Sequence, residues 1–402
     1  MAVIEGISGR VKTQLFSKNN ALRAAFVFAF ASFSSWVPIF NLWLESKGLS
    51  GLQIGIIAAI PWLLILFVQP FWGMLADKFG KLICFKISLV GSVALFAIFP
   101  FVPSGVALIA LATIILALFY SPVLPLLDSI ALDKVESAEL KSYSTIRFWG
   151  AVGYALGASS TGWLIPLLGV QAAFITSAFY SFLVLMLAFL LSETKLQHHG
   201  LEVEFRHFGR IISNKILLLF LLVILVVSIG QSGITFFLSL YMQQIGSTPE
   251  ITGVAIAMQG ISELPFYFIA AWLLHRYSPG KIVFFAIMAT TIRLFLYSVN
   301  QNPNLVILIE SMNGLTWTLL WVSSVEFVNN LVPPKWRTTG QSMLWAAYFG
   351  AGAVSGNVIC GWLYEKMDMQ QIYALMAMMV LALGAASFFI FFSKKINRNS
   401  EL

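Results

Sequence analysis

The chain has 402 residues, of which 59% are hydrophobic and only 10% charged, where a soluble domain carries about 25% charged residues. That balance excludes a soluble protein. The net charge of +7 does not signal nucleic acid, because the basic residues are scattered over short connections between apolar runs. The two cysteines, Cys84 and Cys360, lie in or beside apolar runs and imply no disulfide framework.

The first twenty residues are polar and basic, and the run that follows is too long for a signal-peptide core, so a retained helix is expected. A membrane span needs about 20 apolar residues. Twelve candidates follow in order, at 20–44, 52–76, 82–101, 104–131, 143–166, 168–192, 214–242, 250–274, 280–299, 303–330, 338–363 and 370–393. Pro38, Pro61, Pro70, Pro122, Pro125 and Pro265 fall inside spans and each frees a backbone carbonyl. The short linkers make neighbouring spans antiparallel. Lysine and arginine gather before span one and after spans two, four, six, eight, ten and twelve, which places both termini in the cytoplasm. The longest connection, 193–213, carries His198, His199 and His207. It reads as a linker between two bundles in preference to a metal site.

The halves repeat. A shift of 198 residues lays Gly48 on Gly246, Gly55 on Gly253 and Asp128 on Glu326, and a shift of 199 lays Gly162-Trp163-Leu164 on Gly361-Trp362-Leu363. The expected fold is therefore all-α and membrane-integral, with twelve transmembrane helices in two pseudo-symmetric six-helix bundles, 1–192 and 214–402. Duplicated bundles with a site near the midplane between them are a transporter plan.

Three ionisable residues, Glu263, Arg293 and Glu310, sit well inside apolar spans. A charge near the bilayer centre costs at least ~2.5–3.5 kcal/mol, so these groups must face one another or water. At ~1.5 Å rise per residue, Arg293 and Glu310 come out level and Glu263 near the middle. An acid beside an arginine ionises readily, whereas an unpaired buried acid keeps its proton. Two acids competing for one arginine are parts for proton symport, with a static ion-pair cluster as the alternative. Span ten places Glu310, Asn313, Trp317, Trp321 and Ser324 on one face, suited to a ligand with a polar group and a flat or ring-shaped body. Gln231 and Thr235 on span seven, Trp36 with Ser32 and Ser35 on span one, and Gln259 with Ser262 on span eight are further cavity candidates. Asp128 and Arg147 lie near the inner ends of spans four and five. They are expected as an inner-gate salt bridge in preference to a direct substrate contact, with Glu326 as the symmetric gate acid.

The loop after span two reads Gly73-Met74-Leu75-Ala76-Asp77-Lys78-Phe79-Gly80-Lys81. It resembles the G-x-L-x-D-R-x-G-R signature of the major facilitator superfamily, with lysines for both arginines. The counterpart after span eight, Ala271-Trp272-Leu273-Leu274-His275-Arg276, carries His275 where an acid is common in the family. Within that superfamily, Tyr143-Ser144-Thr145-Ile146-Arg147-Phe148-Trp149-Gly150-Ala151-Val152-Gly153 is similar to the fifth helix of the phenylpropionate permease branch, related to lactose permease. The resemblance implies cavity-lining helices one, four, seven and ten, acids and an arginine on helices eight to ten, and an inner-gate role for Asp77. The related branch also permits a substrate role for Asp128 and Arg147.

No nucleotide-binding G-x-x-x-x-G-K-[ST] loop, HExxH, CxxC or nucleophile elbow occurs, so neither an enzyme nor a bound cofactor is expected. The expectation is a monomeric, proton-coupled importer in the cell membrane, with no nucleic-acid partner. Its solute is an aromatic or other small carboxylate, for which Arg293 is available. A sugar or nucleoside, then drug efflux, then a non-transporting receptor on the same fold are the alternatives. Sodium coupling stays open.

Overall fold

Apolar runs of this length leave the backbone one way to satisfy its polar groups in lipid, which is to close every hydrogen bond within a helix. The computed structural model describes residues 18–137, 143–192, 214–333 and 336–392. The linker 193–213 with its three histidines, and the terminal basic residues Arg10, Lys12, Lys394, Lys395 and Arg398, lie outside the described residues.

Among the described residues, eleven helices are long and apolar enough to cross a membrane. In chain order they are α1 (Asn20–Ser46), α2 (Gly51–Phe79), α3 (Lys81–Phe101), α4 (Val106–Val135), α5 (Thr145–Leu168), α7 (Lys215–Gln244), α8 (Pro249–Leu274), α9 (Pro279–Val299), α10 (Pro303–Leu331), α11 (Thr339–Tyr364) and α12 (Met369–Phe388). Between α5 and α7 lies a shorter apolar helix of 17 residues, α6 (Ala172–Ala188). Proline divides its positions by context. Pro61, Pro70 and Pro265 stay inside continuous helices, whereas α1 breaks around Pro38 and α4 at Ser121–Pro122. Among the described residues, wide π turns occur only in the second half, at Gly314–Thr318 in α10 and Ala346–Gly352 in α11.

The packing repeats as the sequence does. α1 packs on α5 and α6, α3 on α6 and α4, and α2 on α4; correspondingly α7 packs on α11 and α12, α9 on α12 and α10, and α8 on α10. Two further crossings, α2 with α11 and α5 with α8, join the halves. At these crossings the repeated glycines meet one another. A Cβ on Gly361 would lie 2.8 Å from the Gly55 Cα, and one on Gly162 would lie 2.8 Å from the Gly253 Cα. Only residues without a side chain let the backbones approach so closely, as in small-residue interfaces of membrane helices. Polar links reinforce that end of the molecule. The Leu52 amide donates to Glu365 Oε1 at 2.9 Å and the Tyr364 hydroxyl to Glu45 Oε1 at 2.7 Å. Hydrogen bonds from Ser50 and from the Leu52 amide hold the exposed Glu365 carboxyl below its usual range.

Candidate functional site

Helix α8 starts cleanly. The Thr248 side chain accepts the Ile251 amide, Pro249 occupies the first turn and Glu250 complements the helix dipole. Four turns on, α8 meets α10 at Gly314, where an added Cβ would collide with the Ser262 carbonyl oxygen and the Phe266 ring. The Gly314 amide donates to Ser262 Oγ at 3.2 Å. This close crossing brings Asn313 against Glu263.

The three ionisable residues do gather, in an order the sequence does not show. Arg293 and Glu310 form a direct ion pair, 2% and 0% exposed, and the Tyr297 hydroxyl donates to the other Glu310 oxygen. Arg293 Nη1 also donates to Asn313 Oδ1 and to Thr316 Oγ1, each at 2.8 Å. Glu263 does not touch Arg293. Asn313 stands between them and donates Nδ2 to Glu263 Oε1 at 3.0 Å and to the Gln259 carbonyl at 3.3 Å. Glu263 is half-buried and also accepts from Tyr267 at 3.4 Å. Gln259 accepts from the Tyr154 hydroxyl of α5 at 3.1 Å. Arg147 of α5 lies within electrostatic range of both Glu263 and Asp128. Because Arg293 is enclosed by α10 groups, it is not presented to a solute carboxylate in this conformation, contrary to the expectation from sequence.

Beside this network runs an aromatic wall. Trp317 stacks on Trp321 with centroids 5.4 Å apart, Tyr348 closes on Trp317 at 5.1 Å, and Phe349 stacks on Trp345 at 4.4 Å. The two π turns lie within this wall, and they displace the face that an unbroken α-helical period assigns. Ser324 is buried.

The remaining candidates divide. Thr235 is exposed, and Gln259 is half-buried beside Glu263. Gln231 is enclosed, donating to Thr290 and the Thr316 carbonyl and accepting from Tyr348 at 2.7 Å. Trp36 is a core residue packed against Phe40, Phe96 and Tyr120, while Ser32 bonds Ser181 and the Ser177 carbonyl, and Ser35 bonds Ala31. Asp128 has Tyr143 as its direct partner at 2.7 Å, and Arg147 approaches through that tyrosine while its guanidinium stacks 4.1 Å from the Phe30 centroid. The simple Asp128–Arg147 bridge is thus replaced by a three-residue arrangement. Asp77 is exposed and lines a crevice with Trp72, Lys81, Pro122 and Pro125, in which Lys81 pairs with Asp133 at 2.7 Å. Glu326 is half-buried on the last part of α10. Tyr297 and Tyr267 were legible as partners, since each follows its charged residue by four positions on a helix. Tyr143 carried the same signal, four positions before Arg147 on one helix, whereas Thr316, Tyr154 and Asp133 carried none. Among the described residues no group of three or more His, Cys, Asp or Glu is placed to hold a metal ion.

Residues 20–375 match the model of the MFS_1 like family. The chain belongs to that family. It is thus a multi-pass membrane transporter of the major facilitator type and not an enzyme. This major facilitator chain is 24% identical to a maltose permease of Geobacillus stearothermophilus, over 86% of its own length and 87% of the relative's. It is 22% identical to a probable 3-phenylpropionic acid transporter of Escherichia coli (strain K12), over 88% and 92% respectively. Its fold is similar to the crystal structure of the nucleoside transporter NupG, with a TM-score of 0.83 at 18% identity, covering 94% of this chain and 100% of that one.

Proposed function

We propose that this transporter imports a small polar, ring-bearing solute of the sugar class together with protons, by alternating access. The observation that carries the reading is the pairing of a half-buried acid, Glu263, and its hydrogen-bonding neighbours Asn313, Gln259 and Tyr154 with the stacked Trp317–Trp321 face. Hydroxyl groups need donors and acceptors on one side, and the C–H face of a ring needs an aromatic surface on the other. The likeness to a maltose permease supports the sugar class. The enclosure of Arg293 counts against the small carboxylate as first choice. A carboxylate remains the second reading, and the half-buried Arg147 is the cation that favours it. The nucleoside class shares the same ring chemistry.

In this reading α6 is the twelfth span, both termini are cytoplasmic, the protein works as a monomer in the cell membrane, and residues 1–192 and 214–402 are the two rocking bundles. The glycine crossings of α2 with α11 and α5 with α8 then close the outer end, and Asp77, Asp128, Arg147 and Glu326 belong to the inner gate. Glu263 takes up the proton and meets the solute, and the buried Arg293–Glu310 pair holds the charge of the site in balance.

Thermal stabilisation of the purified protein by maltose, nucleosides and aromatic carboxylates identifies the class, because a ligand of the native state raises its stability. Uptake into proteoliposomes tests the coupling. With the stabilising solute, Glu263→Gln is expected to keep counterflow exchange and to lose about tenfold or more of proton-driven accumulation. Full accumulation in that variant would defeat the proposal.

A further inference from the structure

We propose that Asn313 is the positioning residue that couples Glu263 to the buried Arg293–Glu310 pair, through the polarity of its amide and without carrying a proton between them. This deepens the coupling role proposed above and rests on it.

The polarity follows from the partners. A guanidinium has donors only, so the oxygen of the Asn313 amide must face Arg293 Nη1, as it does at 2.8 Å. The amino group is thereby committed to the opposite direction, where it meets Glu263 Oε1 at 3.0 Å and the Gln259 carbonyl at 3.3 Å. A flipped amide would set donor against donor at Arg293 and acceptor against acceptor at Glu263. Asn313 can therefore take one orientation while both neighbours are charged.

An amide neither releases nor accepts a proton near neutral pH, so no proton hops from Glu263 through Asn313 to Glu310. What passes is strength of bonding. A hydrogen bond to a carboxylate is roughly twice as strong as one to a neutral acid. Protonating Glu263 loosens one end of the amide, and the oxygen end readjusts against Arg293. Arg293 has an alternative acceptor at hand, because the same Nη1 also donates to Thr316 Oγ1 at 2.8 Å, within the π turn that begins directly after Asn313. A change at the half-buried acid thus alters how the buried arginine divides its donors along α10. A solute oxygen that displaces Glu263 meets the same amino group, so the solute must offer Asn313 an acceptor. The other titratable or charged groups around Glu263 are Tyr267 on its own helix, Arg147 and Tyr154 on α5, Arg293 on α9 and Glu310 on α10.

The test needs no solute. Infrared difference spectra of the purified full chain are taken across a pH range wide enough to protonate and deprotonate the Glu263 carboxyl. Loss in Glu263→Gln assigns the carboxyl band and loss in Arg293→Lys assigns the guanidinium band. In the wild type the Arg293 band is expected to shift together with the Glu263 band. In Asn313→Leu the Glu263 band persists and the Arg293 shift is lost. Asn313→Ser, which empties the space instead of filling it, carries the same expectation should the leucine variant fail to fold. Asn313→His is expected to restore the shift, since a neutral imidazole can accept from Arg293 with one nitrogen and donate to Glu263 with the other. An Arg293 band that is still in the wild type, or that shifts undiminished in Asn313→Leu or Asn313→Ser, overturns the proposal. The uptake experiment fails or succeeds separately, so loss of the transport reading would be recognised as such.

Discussion

At the scale of single residues, the site is a partition between a half-buried acid and a fully buried pair. Glu310 and Arg293 are buried and bonded to Tyr297, Thr316 and Asn313, with the Arg293 Nε left without a hydrogen-bond partner, whereas Glu263 is only half-buried. Removing one member of a buried, hydrogen-bonded charge pair leaves the other uncompensated and costs roughly 3–5 kcal/mol. Glu310→Gln is accordingly expected to lower thermal stability markedly, in contrast to Glu263→Gln, and thermal denaturation in detergent distinguishes the two. Trp317 is a different kind of residue. It stacks on Trp321 and touches Tyr348, and its loss removes a ring face from the proposed solute platform. Trp317→Ala is expected to weaken solute binding by about tenfold, read as a rise in the apparent KM with the maximal exchange rate retained.

At the scale of elements, the crossing of α8 and α10 places the chemistry. Gly314 has no space for a methyl group between the Ser262 carbonyl and Phe266. Gly314→Ala is therefore expected to push the helices apart, destabilise the protein by about 1–3 kcal/mol and reduce proton-driven accumulation even though no charged group is touched. Gly105, where an added Cβ meets only Leu108 at an ordinary contact distance of 3.7 Å, is the control that should tolerate alanine; equal losses at both positions would remove the crossing from the argument. The π turn that follows Gly314 also explains why the face read from sequence along α10 holds only in part. Glu310 and Asn313 share one network and Trp317 lies in the aromatic wall, while Ser324 is buried.

At the scale of the whole molecule, the described contacts between the halves concentrate where the repeated glycines meet. Gly55 faces Gly361 and Gly162 faces Gly253, and Glu365 and Glu45 add hydrogen bonds at that end. A bulky residue cannot enter either crossing without separating the backbones. The double variant Gly55→Leu, Gly253→Leu is expected to hold this end, proposed above as the outer one, apart. It should raise labelling of a Gln259→Cys probe by an impermeant maleimide from outside several-fold, and it should slow exchange. Unchanged labelling would show that these crossings do not close the cavity.

Much of this was legible in the chain before any coordinates. Long apolar runs dictate helices because lipid offers the backbone no other partner, and the 198-residue offset dictated a duplicated unit whose pairings the structure repeats. The cost of burying charge likewise singled out Glu263, Arg293 and Glu310. Tertiary structure alone decided which acid holds the arginine, because that depends on a glycine crossing between helices nearly fifty residues apart in sequence, from Ser262 to Glu310. It also decided that Trp36 and Gln231 face inward and that Tyr143 stands between Asp128 and Arg147. Periodicity within one helix reports a direction, but which neighbour fills that direction is set by packing between helices, and no single span encodes it.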